Sequence, residues 1–329
     1  MTLPFVDDSL LDVRMELPTV EDVRAAAERI RAQVHRTPVV TNRTLDARVG
    51  AEVFLKCEQL QRVGAFKFRG ASNTVLSLSS EELERGVATH SSGNHAQALA
   101  LAAQLAGTRA HIVMPSNAPA VKRRAVLDYG ARVIECEPTL SARESTLAQV
   151  IDATGAVPVH PFDDSRVIAG QGTAALEFLA QVSDLDTLLV PVGGGGLISG
   201  CALVAAATSG GPRVLGIEPE NADDAKRSLE TGELQPSENP TTIADGLRTA
   251  LSARTFAIIQ RHVPQIVTVS EDAIAAATRF LFERTKMVVE PSGAVGVAAL
   301  FEGLISGRRI GVILSGGNVD LVRLASFSK

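Results

Sequence analysis

The chain has 329 residues, 45% of them hydrophobic and 21% charged. That is enough for about two domains around substantial cores, and it excludes a disordered chain, a collagen-like repeat and a disulfide-stapled miniprotein. Aromatics make up only 4%, with no Trp and a single Tyr, so aliphatic side chains must build the core, and a formal net charge of −5 argues against nucleic acid or an anionic membrane as a partner.

Met1 to Asp8 has no basic stretch followed by an apolar one, so no secretion signal is expected. The most apolar glycine-free run, Cys201 to Ala207, is too short to span a bilayer, and a cytoplasmic location follows by default. Thr19-Val-Glu-Asp22 reads as a helix cap, with Val23, Ala27, Ile30 and Val34 at helical spacing behind it. After Pro38 the pattern changes to short apolar runs, each followed by a helical stretch. These runs are Val53–Leu55, Gly86–Thr89, His111–Met114, Arg132–Ile134, Thr187–Val192, Val214–Ile217 and Ile310–Leu314. Apolar strands without alternation imply parallel sheets covered on both faces, hence an α/β protein. Cys57, Cys136 and Cys201 are far apart and in no C-x-x-C pattern, so three reduced core residues are expected rather than a disulfide or zinc site.

Three strands run into small-residue turns that open a helix: Ser91-Ser-Gly-Asn-His95, Gly193-Gly-Gly-Gly-Leu197 and Ser315-Gly-Gly-Asn318. A fourth such turn, Gly64 to Gly70, follows Val53–Leu55 at longer range. Ligands of open α/β sheets bind at the carboxyl ends of strands, so these turns can converge on one crevice. In the four-glycine run, consecutive backbone N–H groups can wrap an anion at the positive end of the next helix. It matches neither the G-x-G-x-x-G nor the P-loop signature, which points to a phosphate ligand other than a dinucleotide; a tight packing turn is the other reading. Six lysines are available for amine chemistry, and Lys67 stands between two aromatics and two glycines. Apolar surroundings favour a neutral, nucleophilic amine, although a surface lysine packed on Phe66 and Phe68 would carry the same letters. A nucleophilic amine plus a phosphate cup is what pyridoxal phosphate requires.

Lys56-Cys-Glu-Gln-Leu-Gln-Arg-Val-Gly-Ala-Phe-Lys67-Phe-Arg-Gly-Ala, with His90-Ser-Ser-Gly-Asn-His-Ala-Gln97, the glycine run and Ser315-Gly-Gly-Asn-Val-Asp320, resembles the serine/threonine dehydratase and serine racemase family. The likeness runs from about residue 18 to 325. It implies the fold type II architecture of pyridoxal-phosphate enzymes (tryptophan synthase β-like), with a large domain of 1–77 plus 164–329 and a small inserted α/β domain of 78–163. It implies that Lys67 holds the cofactor as a Schiff base and takes the substrate α-proton. Phe66 and Gly246 would lie on the two sides of the ring, Asn94 would bond its hydroxyl, Gly193, Gly194, Gly195, Gly196 and Leu197 would bind its phosphate, and Ser315 would face the pyridine nitrogen. A hydroxyl there holds the ring nitrogen protonated less well than a carboxylate, which favours β-elimination over transamination.

By the same resemblance Ser91, Ser92 and His95 belong to the substrate-carboxylate loop, Arg143 to the substrate's surroundings, and Ser92 to a second base opposite Lys67. Glu218, Asp224 and the carbonyl of Ala222 are similar to a divalent-cation loop, with oxygen ligands suited to Mg²⁺ or Ca²⁺; an acidic surface loop capping the next helix is the other reading. Ala65 resembles the microbial racemase and hydroxyaspartate dehydratase branch, whereas Phe162 resembles the threonine dehydratases. Threonine or serine ammonia-lyase activity is the leading expectation. A racemase, a dehydratase of 3-hydroxyaspartate or phenylserine, and a non-catalytic ligand sensor stand behind it. A small amino-acid substrate and a homodimer are expected, and with so little chain after Asp320 no regulatory domain is expected.

Overall fold

The computed structural model describes residues 16–118 and 120–327. Met1 to Asp8, searched above for a secretion signal, and Lys329 lie outside the described residues. Among the described residues, ten strands form two sheets. In chain order they are β1 (Val39–Val40), β2 (Glu52–Cys57), β3 (Val87–His90), β4 (Ala110–Pro115), β5 (Arg132–Cys136), β6 (Val157–Pro158), β7 (Thr187–Pro191), β8 (Arg213–Pro219), β9 (Gln265–Val269) and β10 (Arg309–Leu314). The larger sheet runs β1-β2-β10-β7-β8-β9 and is parallel except for β1, which pairs antiparallel with β2. The smaller one, β5-β4-β3-β6, is parallel throughout and drawn wholly from residues 87–158.

Burial explains the apolar runs. β7 and β4 are buried along their whole length, because helices cover both faces of each sheet. One core lies on the Pro291–Phe301 face of the large sheet, a second under the Ser165–Gln181 and Gly196–Ala207 helices, and a third around the small sheet. Nearly all their members are aliphatic, as the composition requires. Among the described residues, no helix is long and apolar enough to cross a membrane.

The first helix, Val20–Ile30, starts with the expected capping box between Thr19 and Asp22. Its buried stripe is Val23, Ala26 and Ile30; Ala27 is only half-buried, and Val34 lies beyond the helix end. Cys57 and Cys201 are buried as expected, but Cys136 is only partly so, since β5 is an edge strand with its flanks open.

A buried ionic network anchors the helix that Lys67 opens. Arg69 donates to both oxygens of Glu58 (Nε 2.7 Å, Nη2 2.8 Å) and to both of Glu177 (2.9 Å each). The Nζ of Lys56 meets Glu177 at 2.9 Å and the carbonyl of Thr37 at 2.9 Å. Arg69, Lys56 and Glu58 are fully buried, so each charge depends on its partners. The network ties β2, the Lys67–Leu76 helix and the Ser165–Gln181 helix together and fixes where Lys67 starts.

Candidate active site

Register brings the carboxyl ends of β2, β10 and β7 side by side, since Leu314 pairs with Cys57 and Val312 with Leu189. The four small-residue turns meet there. After β2 the chain makes two short 3-10 turns and enters the Lys67–Leu76 helix. The N–H of Phe66 donates to the Ser315 carbonyl (3.0 Å), and that of Gly317 to the Gly64 carbonyl (2.9 Å). Two turns distant in sequence are thereby stitched into one floor.

Lys67 is the first residue of its helix and donates from Nζ to the carbonyl oxygen of Pro161 at 2.8 Å. Phe66 lies beside it, with its ring centre 5.1 Å from Nζ, whereas Phe68 is turned into the core. Part of the side chain faces the cleft, yet protein crowds the amine closely enough for desolvation to lower its pKa to about 8. A larger share of neutral amine exists at physiological pH than for an ordinary lysine.

The four-glycine turn precedes the Gly196–Ala207 helix, and Gly195 sits at its N-cap with φ +84°, a conformation costly for any residue with a Cβ. A Cβ on Gly194 would lie 2.2 Å from the Phe162 ring, so this loop and the 160–164 segment fit only because the position is bare. Gly193 backs onto the carbonyl of Gly246, which is itself open to the cleft. Backbone donors at a helix N-terminus are suited to a phosphate.

Asn94 opens the Asn94–Leu105 helix after β3 and joins the two sheets: its Oδ1 accepts from Asn318 (2.8 Å) and its Nδ2 donates to Glu290 (2.7 Å). Ser315 is buried at the end of β10, and among the described residues no group bonds its hydroxyl. Ser91 and Ser92 form the half-buried loop before Asn94. The N-cap is Gly93 and has no side-chain cap, so Ser92 does not serve as one. His95 is buried, with Nε2 donating to the Val159 carbonyl (3.1 Å) and Nδ1 unpartnered. Burial, reinforced by the Lys67 charge, lowers its pKa to about 3. His160 accepts at Nδ1 from the N–H of Asp163 (2.9 Å), stacks edge-on against Phe162 at 4.6 Å and is lowered by burial to about 4.

Arg143 stands on the Leu140–Thr154 helix near His90, without a hydrogen bond to the residues around Lys67; its Nε is buried and unpartnered. Glu218 and Asp224 form a separate pair at the end of β8. Glu218 caps the next helix, accepting from the N–H groups of Ala225 (3.1 Å) and Lys226 (2.8 Å), but it does so buried rather than on a surface loop. Both oxygens of Asp224 lack a partner, since nearby Ser237 donates instead to the Arg248 carbonyl (3.3 Å). Burial raises both carboxyls, Asp224 to about 6 and Glu218 well above its usual range, the latter also pushed by Asp224. Among the described residues, no group of three or more His, Cys, Asp or Glu side chains is placed to hold a metal. A cation here would need the Ala222 carbonyl and water beside the two carboxylates; hard oxygens and an orphaned Asp224 suit one.

Sequence reasoning missed Glu290, Asn318 as a bridge, His160 and the Pro161 carbonyl. Asn318 stood within a quoted motif, whereas a lone Glu before Pro291 carries no spacing signal.

The profile of the pyridoxal-phosphate dependent enzyme family matches residues 30–316. The serine racemase of Dictyostelium discoideum is 45% identical over 313 residues, which cover 93% of this chain and 97% of that one. The beta-hydroxyaspartate dehydratase of Paracoccus denitrificans is 46% identical, with 94% and 99% covered. The crystal structure of T.th. threonine deaminase superposes with a TM-score of 0.89 at 46% identity, over 92% of this chain and 99% of that one. The chain belongs to the fold type II family of pyridoxal-phosphate dependent enzymes.

Proposed function

We propose that this enzyme is an ammonia-lyase that eliminates water from small β-hydroxy amino acids, L-threonine or L-serine first, the enamine so formed then being hydrolysed to a 2-oxo acid and ammonia. The observation that carries the reading is the desolvated Lys67 amine, held 2.8 Å from the Pro161 carbonyl and 5.1 Å from the centre of the Phe66 ring. Pyridoxal phosphate, when bound, supplies an electron sink that acidifies the α-C–H of the amino acid. Gly193 to Leu197 would hold its phosphate, Phe66 and Gly246 would flank its ring, Asn94 would bond its ring oxygen and Ser315 its ring nitrogen. The neutral Nζ of Lys67 takes the α-proton, and the N–H groups of the Ser91–His95 loop receive the substrate carboxylate. Phe162 gives the side-chain pocket an apolar wall, which suits the methyl group of threonine.

Two observations support alternatives on the same machinery. The free Ser92 hydroxyl could deliver a proton to the other face of the α-carbon, as a racemase requires. The guanidinium of Arg143, whose buried Nε has no partner, would have to turn outward to pair with a second carboxylate, as in 3-hydroxyaspartate, and the Dictyostelium and Paracoccus relatives carry the corresponding names. Residues 78–163 would form the domain that closes on the substrate, Glu218, Asp224 and the Ala222 carbonyl would take Mg²⁺ or Ca²⁺, and the working unit would be a homodimer.

The test is a substrate panel with identification of both the 2-oxo acid and the enantiomer of the remaining amino acid. Rapid 2-oxobutanoate from L-threonine with little D-amino acid supports the proposal. Dominant D-serine moves the chain to the racemases, and keto acid from 3-hydroxyaspartate alone overturns the choice of substrate.

A further inference from the structure

Glu290 sits at the N-cap of the Pro291–Phe301 helix, and its side chain does not cap that helix. Its N–H donates to the Gly316 carbonyl (3.0 Å), and its carboxylate is buried against the floor of the cleft. There Oε1 accepts from the Nδ2 of Asn94 at 2.7 Å. The far side of that amide is held as well, because Asn318 donates to both the Asn94 Oδ1 (2.8 Å) and the Val63 carbonyl (2.7 Å). The amide orientation is therefore fixed, with one N–H committed to Glu290 and the other left to give. The approach depends on Gly316, next to Ser315: a Cβ there would stand 2.3 Å from the Glu290 Oε1 and 3.1 Å from the Asn94 Nδ2.

The charged groups around Glu290 are few. Asp245 opposes its ionisation, while Lys122, the Asn94 amide and the N–H of Asn318 favour it. Asp245 is itself paired with Lys122 (3.0 Å) and Arg323 (3.6 Å), which blunts its effect. Burial outweighs these and brings the carboxyl up to about 7, so its charge changes near neutral pH.

We propose that Glu290 is a titratable positioning residue for the cofactor, setting through Asn94 the hydrogen bond offered to the cofactor's ring oxygen. An ionised Glu290 pulls on one N–H of Asn94 and weakens the other as a donor to the cofactor's ring oxygen. This rests on the assignment of Asn94 to the ring oxygen.

The experiment is a pH titration of the visible absorbance of the cofactor-loaded protein, with the cofactor dissociation constant measured alongside. Glu290→Gln keeps an acceptor for Asn94 and almost the same shape, so cofactor affinity should fall by no more than about tenfold. The wild-type spectrum is expected to shift with a midpoint near pH 7, and the shift should be missing from Glu290→Gln. Adding Asn94→Ala to Glu290→Gln should leave the pH dependence flat, whereas Asn94→Ala alone should change the spectrum and suppress the step. A wild-type spectrum with no step near pH 7, or a step that survives in Glu290→Gln, overturns the relay. An unchanged spectrum in Asn94→Ala overturns the assignment of Asn94, and the relay falls with it.

Discussion

The Nζ of Lys67 donates to the main-chain carbonyl of Pro161 at 2.8 Å, joining the first turn of one helix to a segment 94 residues further along. The bond holds the amine without giving it a carboxylate, so nothing offsets the desolvation that lowers its pKa and leaves more of it neutral. Lys67→Ala should reduce keto-acid formation by about 10²–10⁴-fold or more, the usual worth of a positioned proton-transfer group. A variant with wild-type turnover in a coupled assay would remove Lys67 from the mechanism.

The same amine predicts a stability signature in cofactor-free protein. Its folded pKa of about 8 lies below the ordinary lysine value of 10.5, so between those limits the native state binds fewer protons than the unfolded one. Stability from this group therefore rises with pH across that window and is lost as pH falls through about 8. Denaturant titrations of wild type and Lys67→Met should differ in slope there; parallel profiles would show an amine that keeps its charge.

The buried network around Arg69 has a different role. Glu177 receives both Arg69 and Lys56, so Glu177→Gln leaves two buried cations short of charge. Removing one partner of a buried pair costs about 3–5 kcal/mol, and a loss of that size is expected in urea unfolding. Replacing Arg69, Glu58, Glu177 and Lys56 together by apolar residues should cost less than Glu177→Gln alone, because no orphaned charge of the network remains.

What the sequence made legible follows physical range. The seven apolar runs all became strands, because parallel strands buried on both faces need continuous hydrophobic stretches. β9 was passed over although Gln265-Ile-Val-Thr-Val is strand-like, and β1 and β6, two residues each, are too short to leave a pattern. The glycine turns and Lys67 were legible because bare loops and an amine in apolar company have local reasons. Glu290, His160 and the Pro161 carbonyl owe their places to tertiary approach alone. The burial of Glu218 and Asp224 was hidden likewise, since an acidic loop looks the same on the surface.

Those two carboxylates give a cation prediction. Raised carboxyl pKa values mean that the native state binds more protons than the unfolded one, so metal-free stability from Asp224 falls as pH rises from about 4 through about 6. Mg²⁺ or Ca²⁺ should restore it above pH 6, raising Tm at pH 7–8 and having progressively less effect below pH 6, where protons compete. Asp224→Asn should be more stable than wild type without metal at pH 7.5 and should lose the response. Equal Tm gains in both proteins would place the cation elsewhere.

His95 and His160 predict a loss of stability in acid. Both are held neutral by burial, near 3 and 4 against an ordinary 6.5. The native state therefore takes up fewer protons than the unfolded one below pH 6.5, and stability present above that pH drains away as pH falls toward 4. His160→Asn should flatten the fall of Tm between pH 6.5 and 4. A profile as steep as wild type would assign the acid sensitivity to other groups.

Gly194 and Phe162 provide a test of the glycine loop in which one defect should cancel another. A Cβ at 194 meets the Phe162 ring at 2.2–2.4 Å, so Gly194→Ala must displace the ring, the loop or both. Overpacking of this kind costs about 1–3 kcal/mol, and the displaced loop should also bind the cofactor phosphate more weakly. Phe162→Ala removes the colliding atoms. If the glycine is there for the ring alone, Gly194→Ala/Phe162→Ala should recover the cofactor affinity of Phe162→Ala. If affinity stays low in the double variant, the methyl is obstructing the phosphate itself, and Gly194 is bare because the ligand, rather than Phe162, needs the space.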